Sequence, residues 1–584
     1  MLQLLIFRFL LAKLQLKHTL AQKLPRKIEE ALDSLPVDIR EAYDKFFQDE
    51  DDELMYEVLS WIFYARRPML MDELREALAV GRGDSELRAD SLPSPDFLIE
   101  ECRSLVTFDE DRGSVDFSHA TVREYLETQK IAYLLKPEDL TEVLLTYLSF
   151  DVLKLPVHHD YELERRLDSY KLSRYAAKWW PGYTRGQGER NPEVQRLILK
   201  IFGSPDHIDS MLQIAAARIE HPTAITLLHF AAAHDLKLIC EWLCGGFGHA
   251  GRRDAGVFDR KLSLGARKTG QFGTVHSRNG FDETPLHLAA RNGNVEILNL
   301  LVASGADVNV ASSKSEYVAP LHLAVLEGHD ECVNTLIKYG ADLECLSRYW
   351  RETPLLLASY LGRVATVGSL LDAKANVHAS VASFDETGIM WALHSPNPAS
   401  VIRLLLSAGA EINQVDREGR TAIHYALELL PVRHCKDVLA LLVEGGADVN
   451  VACMVTGDTP LHLAAKLDIA VNRHLSTIRD ENLQRDRFAS KLENAEQGMI
   501  VVDPVSEREL FDIVRLLLQA HARPSAWNLD GETPLHCSVK ARNASVSYLL
   551  LSFMGGQVDF TMDSIGDQDF LDIISRDVLR EASY

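Results

Sequence analysis

Over much of the chain, apolar residues come in short bursts at helical spacing, and each burst is punctuated in the same way. In Thr284-Pro-Leu-His-Leu-Ala-Ala-Arg-Asn-Gly-Asn-Val-Glu-Ile-Leu-Asn-Leu-Leu-Val-Ala-Ser-Gly-Ala-Asp-Val-Asn309, residues Leu286, Leu288, Ala289 and Ala290 make one small apolar face. Val295, Ile297, Leu298, Leu300, Leu301 and Val302 make a second. The polar positions between them predict a helix–turn–helix unit. Thr284 is an N-cap whose hydroxyl meets an orphan backbone N–H, and Pro285 stands at N1, where its missing N–H costs nothing. Asn292-Gly293 ends the first helix, because glycine accepts the left-handed conformation at C′. Gly305 ends the second. Neither face is wide enough to fold alone.

The unit recurs, with starting positions at Thr226, Thr284, Ala319, Thr353, Thr387, Thr421, Thr459 and Thr533. From Thr284 to Thr421 the starts stand 34 or 35 residues apart. This period and the Thr-Pro-Leu-His-x-Ala core resemble the ankyrin repeat. The resemblance implies an α-solenoid of about eight repeats over residues 223–560, in which each unit buries its faces by stacking on its neighbours. Two insertions interrupt it. Residues 245–280 are glycine-rich, basic and poor in apolar residues, which predicts a flexible loop. Residues 466–508 are charged, with helical tendency, and split the seventh repeat. Residues 561–584 read as a C-terminal cap and tail.

Upstream, the pattern predicts helices at 53–65 and 71–80, another at 97–104, and a hairpin of two strands, Leu105–Phe108 and Ser114–Phe117, around the turn at Gly113. A last helix opens at Ser118. Leu35-Pro36, Tyr43, Leu59-x-Trp61, Arg67-Pro68, Glu73-Leu74, Cys102, Leu105-Val106 and Phe117-x-His119…Val122-x-Glu124-Tyr125-Leu126 resemble the winged helix that follows the nucleotide-binding domain in fungal NACHT–ankyrin proteins of the STAND class. That resemblance implies a helical tail of a NACHT-like module at 1–35, a winged-helix domain at 36–135 and a helical linker at 136–222. The linker reads as helices at 142–150, 162–180 and 192–202, and the aromatics of Tyr175-Ala-Ala-Lys-Trp179-Trp180 read as core. The fold class is therefore mostly α.

Composition narrows the function. Of 584 residues, 46% are hydrophobic and 25% charged, as in an ordinary folded protein, but the net charge is −23. Such a chain lacks the field that gathers nucleic acid or anionic membrane. The wing tip Asp109-Glu110-Asp111 would repel phosphates, which argues against DNA binding by the winged helix. The apolar start, Met1 to Leu16, is interrupted by Arg8 and Lys13 and is shorter than the roughly 20 residues of a membrane span. Eight cysteines without metal-ligand spacing suit buried thiols in a reducing compartment, so a cytoplasmic location is expected, with the nucleus as the alternative. Arg82-Gly83-Asp84 is given no role as an adhesion ligand.

Chemistry is sparse. There is no Gly-x-x-x-x-Gly-Lys-Ser/Thr loop, no nucleophile elbow and no paired-histidine zinc helix, so no enzyme activity, cofactor or metal is expected. His229, His287, His322, His424, His462 and His536 share the fourth motif position, where an imidazole sits beside the capping threonine and ties the turn. Thr284, Pro285, His287, Gly293 and Gly305, with the other five histidines, are read as architecture. Binding is expected on the variable positions, which in the ankyrin family are the hairpin tips and the inner face of the first helices. Tyr317, Tyr349, Trp350, Phe384 and Trp527 stand out there, with Arg348 and Arg351 flanking the Tyr349-Trp350 pair. The expected function is a non-enzymatic scaffold or sensor that binds a protein partner. The alternative is the regulatory half of a NACHT-type NTPase switch whose P-loop domain is missing from this chain.

Overall fold

In a computed structural model, the described residues are 43–44, 47, 53–102, 105–218, 223–245, 272–381, 383–429, 432–467, 507–541 and 543–554. The expected tail at 1–35, most of the two insertions and the cap at 561–584 lie outside them. The chain forms two compact units, residues 1–289 with 296–306, and 290–295 with 307–584. Among the described residues no helix is long and apolar enough to cross a membrane.

The first unit begins with Glu53–Tyr64, a helix that buries Met55, Leu59 and Trp61. Met71–Leu78 and Pro95–Glu101 follow. Val106–Asp109 pairs antiparallel with Ser114–Phe117, with Val106 opposite Phe117. The hairpin thus sits one residue later in its first strand than its apolar pattern suggested. Met69–Leu70 adds a third strand on the far side of Ser114–Phe117. Two residues are too few to show as a strand in sequence, and the segment reads there as a turn.

The linker is helical at Pro137–Leu148, Asp160–Ser169, Leu172–Thr184, Pro192–Phe202 and Pro205–Ala216. The single helix expected at 162–180 is broken at Tyr170. The cause is Glu76, buried almost 100 residues earlier, whose carboxylate accepts the N–H groups of Lys171 (3.1 Å) and Leu172 (2.9 Å) and the hydroxyl of Tyr147 (2.5 Å). It starts a new helix by satisfying that helix's first donors. Trp180 is fully buried and stacks on Phe230 of the first repeat, with ring centroids 5.2 Å apart. Tyr175 and Tyr183 share a 2.6 Å hydroxyl bond. These aromatics are core.

The first repeat is Leu227–His234 with Lys237–Cys244, and the second is Pro285–Arg291 with Val295–Ala303. Glu189 caps the helix Lys237–Cys244 by accepting the N–H of Ile239 at 2.9 Å. Residues 272–280, assigned to a flexible loop by their composition, are instead packed on the first repeat. Phe272 is buried near Trp242, and its carbonyl accepts the N–H of Leu228 at 3.1 Å. At the other end of this segment the Gly280 N–H donates to Thr223 O at 2.6 Å.

In the second unit, first helices Pro320–Glu327, Pro354–Leu361, Gly388–Ala392, Ala422–Leu429, Pro460–Lys466 and Pro534–Lys540 alternate with second helices Asp330–Lys338, Val364–Asp372, Pro398–Ser407, Val432–Glu444, Glu507–Gln519 and Ala544–Phe553. First helices pack on first helices and second on second, so apolar faces too small for independence share one continuous core. Asn413 joins consecutive repeats, accepting from Asp448 N–H (2.7 Å) and donating to Gly446 O (3.1 Å). Asn450 does the same to Arg523 N–H and His521 O.

Candidate partner-binding site

Between one repeat's second helix and the next repeat's first, the chain makes a finger. Each finger is closed by a backbone bond that ends on the residue before the starting position. Ser347 N–H donates to Glu352 O at 3.0 Å, Asp416 to Arg420 O at 3.0 Å, Cys453 to Asp458 O at 2.9 Å and Asn528 to Glu532 O at 2.9 Å. At 380–387 the closure is a short antiparallel pair, Val381 opposite Glu386. Neighbouring fingers are then tied to one another. Arg348 N–H donates to Glu316 O (2.9 Å), Arg417 to Phe384 O (3.1 Å), Met454 to Glu418 O (2.7 Å) and Leu529 to Thr456 O (2.9 Å). Gly457 sits at φ +70° in this row, and a Cβ there would lie 2.6 Å from the Leu529 nitrogen.

The histidines hold the base of the fingers. His424 Nδ1 accepts the Thr421 N–H at 3.1 Å and lies 2.9 Å from the Thr421 hydroxyl, while Nε2 donates to Asp458 O at 3.3 Å. A carbonyl can only accept, so the proton is on Nε2 and the ring is neutral. His229 repeats this with Thr226 and Glu283 O, and His462 with Thr459 and Glu532 O. His287 and His536 accept from Thr284 and Thr533 N–H. Where Ala319 replaces threonine, His322 keeps a 3.4 Å bond to Glu352 O and a 3.6 Å contact with the Cys345 thiol. Burial pushes His229 and His322 down to about 4, and His424 and His462 in the same direction. Gly293 (φ +75°) and Gly305 (φ +92°) adopt the left-handed turns expected of them. A Cβ on Gly293 would meet the His329 ring at 2.7 Å.

The candidate anchors separate into three groups. Tyr349 is 67% exposed and Trp527 61%, both projecting from fingers. Exposed Phe384 and half-buried Trp350 face each other across adjacent fingers, with ring centroids 6.1 Å apart. Tyr317 is buried, at 5%, near the His322 ring, so it is a packing residue and not an exposed anchor. Its place one residue beyond Glu316, which bonds the next finger, turns it inward. Arg348 is fixed by donating from its guanidinium to Ser313 O, and exposed Arg351 takes φ +55° at the tip of its turn. Met454, Val455 and Leu529 are also strongly exposed on fingers and escape a reading that looks only for aromatics. A second set, Tyr360, Trp391, His394 and Tyr425, forms a row of ring contacts along first helices. Its sequence signal is Tyr360 at the seventh place after 353, Trp391 and His394 at the fourth and seventh after 387, and Tyr425 at the fourth after 421.

Fold and fingers define a class, helical repeats that present a variable surface beside a winged helix. The families described as ankyrin repeats match residues 197–347, 287–381, 355–453 and 389–479, and again 507–551. That described as the GPI inositol-deacylase winged helix domain matches residues 48–133. The chain is thus among the ankyrin-repeat proteins and carries a winged helix of this type. The nuclear factor NF-kappa-B p105 subunit of Gallus gallus is 29% identical over 195 residues, 33% of this chain and 16% of that protein. Human ankyrin repeat and SOCS box protein 16 is 29% identical over 211 residues, 35% of this chain and 45% of its own length. The matches thus span less than half of either relative. The crystal structure of the human ASB11 ankyrin repeat domain aligns with a TM-score of 0.33 and 24% identity, over 47% of this chain and 100% of that one.

Proposed function

We propose that this chain is a non-enzymatic interaction scaffold or sensor that grips a protein partner with its fingers. The observation that carries this reading is the set of exposed apolar side chains Tyr349, Phe384, Met454, Val455, Trp527 and Leu529 on fingers braced by backbone bonds. Apolar groups held rigidly in solvent lose little freedom on docking and gain burial. An intracellular location belongs to the same reading and is supported by eight free thiols, six of them buried. The test is affinity capture with the wild-type chain and with Tyr349→Ala/Trp350→Ala. Recovery of at least one partner falls by about tenfold or more, the loss of one anchor worth about 1.4 kcal/mol. Capture of every partner at wild-type level removes this site from the reading.

A second reading makes the chain the sensor half of a NACHT-type switch. What favours it is the winged helix at 48–133 with carboxylates at its tip, suited to contacts within a larger protein and ill suited to phosphates. A P-loop read in frame with this chain in its transcript supports that role; its absence there sinks it.

A further inference from the structure

Three of the fingers, 279–283, 416–420 and 528–532, are each built on their first side chain. Asn279 Oδ1 accepts the N–H groups of Phe281 (3.0 Å) and Glu283 (2.9 Å). Asp416 does the same for Glu418 (2.9 Å) and Arg420 (2.7 Å), and Asn528 for Asp530 (3.1 Å) and Glu532 (2.9 Å). The fourth residues, Asp282, Gly419 and Gly531, are left-handed, at φ +63°, +75° and +71°. An Asp or Asn followed three places later by a residue that accepts positive φ is therefore the local code of such a finger.

Successive fingers then join by two bonds. The second residue of a finger donates its N–H to the carbonyl just before the left-handed residue of the preceding one, as Arg417 to Phe384 O, Met454 to Glu418 O and Leu529 to Thr456 O. The last residue of a finger accepts the Nε2 proton of the preceding repeat's histidine. Glu283 O takes it from His229 at 3.0 Å, Asp458 O from His424 at 3.3 Å and Glu532 O from His462 at 3.0 Å. At the finger 528–532 the corresponding groups are left over. His536 accepts the Thr533 N–H through Nδ1, so its proton is on Nε2, and Nε2 is buried with no hydrogen-bond partner among the described residues. No described N–H donates to Asp530 O. A Cβ on Gly419 would lie 2.6 Å from Met454 Cγ, but among the described residues one on Gly531 meets nothing within 4 Å. The finger row therefore ends in an edge with one donor and one acceptor still to be met, and a buried donor left unmet is costly.

The same code returns in the sequence beyond the described residues. Asp563-Ser564-Ile565-Gly566-Asp567 stands 35 residues after Asn528-Leu529-Asp530-Gly531-Glu532, a spacing already seen between repeat starts. Phe570, Ile573 and Ile574 fall two, five and six places after 568, as Leu286, Ala289 and Ala290 fall after Thr284. We propose that residues 563–567 of this chain are a further finger and the occupant of this edge, with Ser564 N–H donating to Asp530 O and Asp567 O accepting from His536 Nε2. The assignment follows from the repeat geometry and does not rest on the scaffold reading. It lengthens the row of fingers by one, so that exposed Trp527 and Leu529 lie within the row and Ile565 takes the place held by Glu418 and Asp530.

The test is hydrogen exchange of the full chain, read by mass spectrometry over residues 560–570. The amides of 564–567 exchange at least about tenfold more slowly than those of an unstructured chain. Gly566→Val, a β-branched residue where φ has to be positive, removes that protection. His536→Leu, which the stack accommodates because Leu356 fills the same place in another repeat, lowers it severalfold. Exchange in Pro354–Leu361 stays at the wild-type rate in both variants, which separates loss of the finger from loss of the fold. Three results overturn the proposal. The first is exchange of 564–567 at the unstructured rate in the wild type, which leaves the edge to a partner. The second is protection that survives Gly566→Val or is unmoved by His536→Leu. The third is protection that appears only as the chain concentration is raised, which assigns the edge to a second copy.

Discussion

His322 stands to lose stability in acid and to lose little on replacement. It lacks the threonine partner of its relatives and makes a 3.4 Å bond to Glu352 O and a 3.6 Å contact with the Cys345 thiol. Burial depresses it to about 4 from an ordinary 6.5. A base whose folded pKa lies below its unfolded one destabilises the fold as pH falls through the unfolded value, and the loss is complete below the folded value. At pH 7 both states are largely neutral and the loss is close to zero. At pH 5 the unfolded imidazole is protonated and the folded one is not, which amounts to about 2 kcal/mol at 1.36 kcal/mol per unit. His322→Leu removes this term. At pH 7 the substitution forfeits roughly one net hydrogen bond, about 1 kcal/mol, partly offset by the buried leucine. Leu356 fills the corresponding place in the next repeat, so the geometry is permissive. Hydrogen exchange in Pro320–Glu327 and Pro354–Leu361, taken as the variant-to-wild-type ratio at each pH, is the assay. The ratio of opening constants shifts by about 30-fold in favour of the variant between pH 7 and pH 5. A ratio that does not move refutes the account of a buried neutral imidazole.

Glu189 has the opposite sign. Burial raises its carboxyl to about 7 against bonds from backbone N–H groups that favour the charge. Its contribution to stability therefore falls as pH rises from about 4.5 to 7, and Glu189→Gln gains about 2 kcal/mol on the wild type between pH 5 and 7.5, read as urea midpoints. Gly457→Ala places a Cβ against the Leu529 backbone at a positive φ. It costs about 2–4 kcal/mol, seen as accelerated exchange in Pro460–Lys466 and Pro534–Lys540; a wild-type profile would mean the finger row is not close-packed there.

The repeats were legible because their signals are local. The bonds between Thr284 and His287 act within three residues and follow from spacing, whereas the bonds of His229, His424 and His462 to the next repeat's carbonyl appear only once the repeats stack. What escaped is what depends on distant residues. Nothing near Tyr170 announces a helix break, because the capping carboxylate is Glu76. Ser204-Pro205 is a helix start signal, but the linker helices predicted from the apolar pattern end at 202, and Pro205–Ala216 lies beyond them. Among the candidate anchors, residue type could not separate exposed Tyr349 from buried Tyr317. That distinction is made by which backbone groups neighbouring fingers bond, and by rings such as Phe384 that arrive 34 residues after Trp350.

The stack also keeps its register across interruption. Pro460–Lys466 and Pro534–Lys540 pack as adjoining first helices, and the fingers at 453–458 and 528–532 bond as neighbours, although residues 468–506 intervene. Among the described residues, the ties that fix the seventh repeat include the bonds of Cys453 to Asp458 O, His462 to Glu532 O and Leu529 to Thr456 O. Doubling a flexible connection costs only about 0.6 kcal/mol in closure entropy. Bonds carried by the described residues on both sides thus hold the reading surface in frame across the join, which is the condition that a reporter or folded module with adjacent ends has to meet if it is spliced in between 467 and 507.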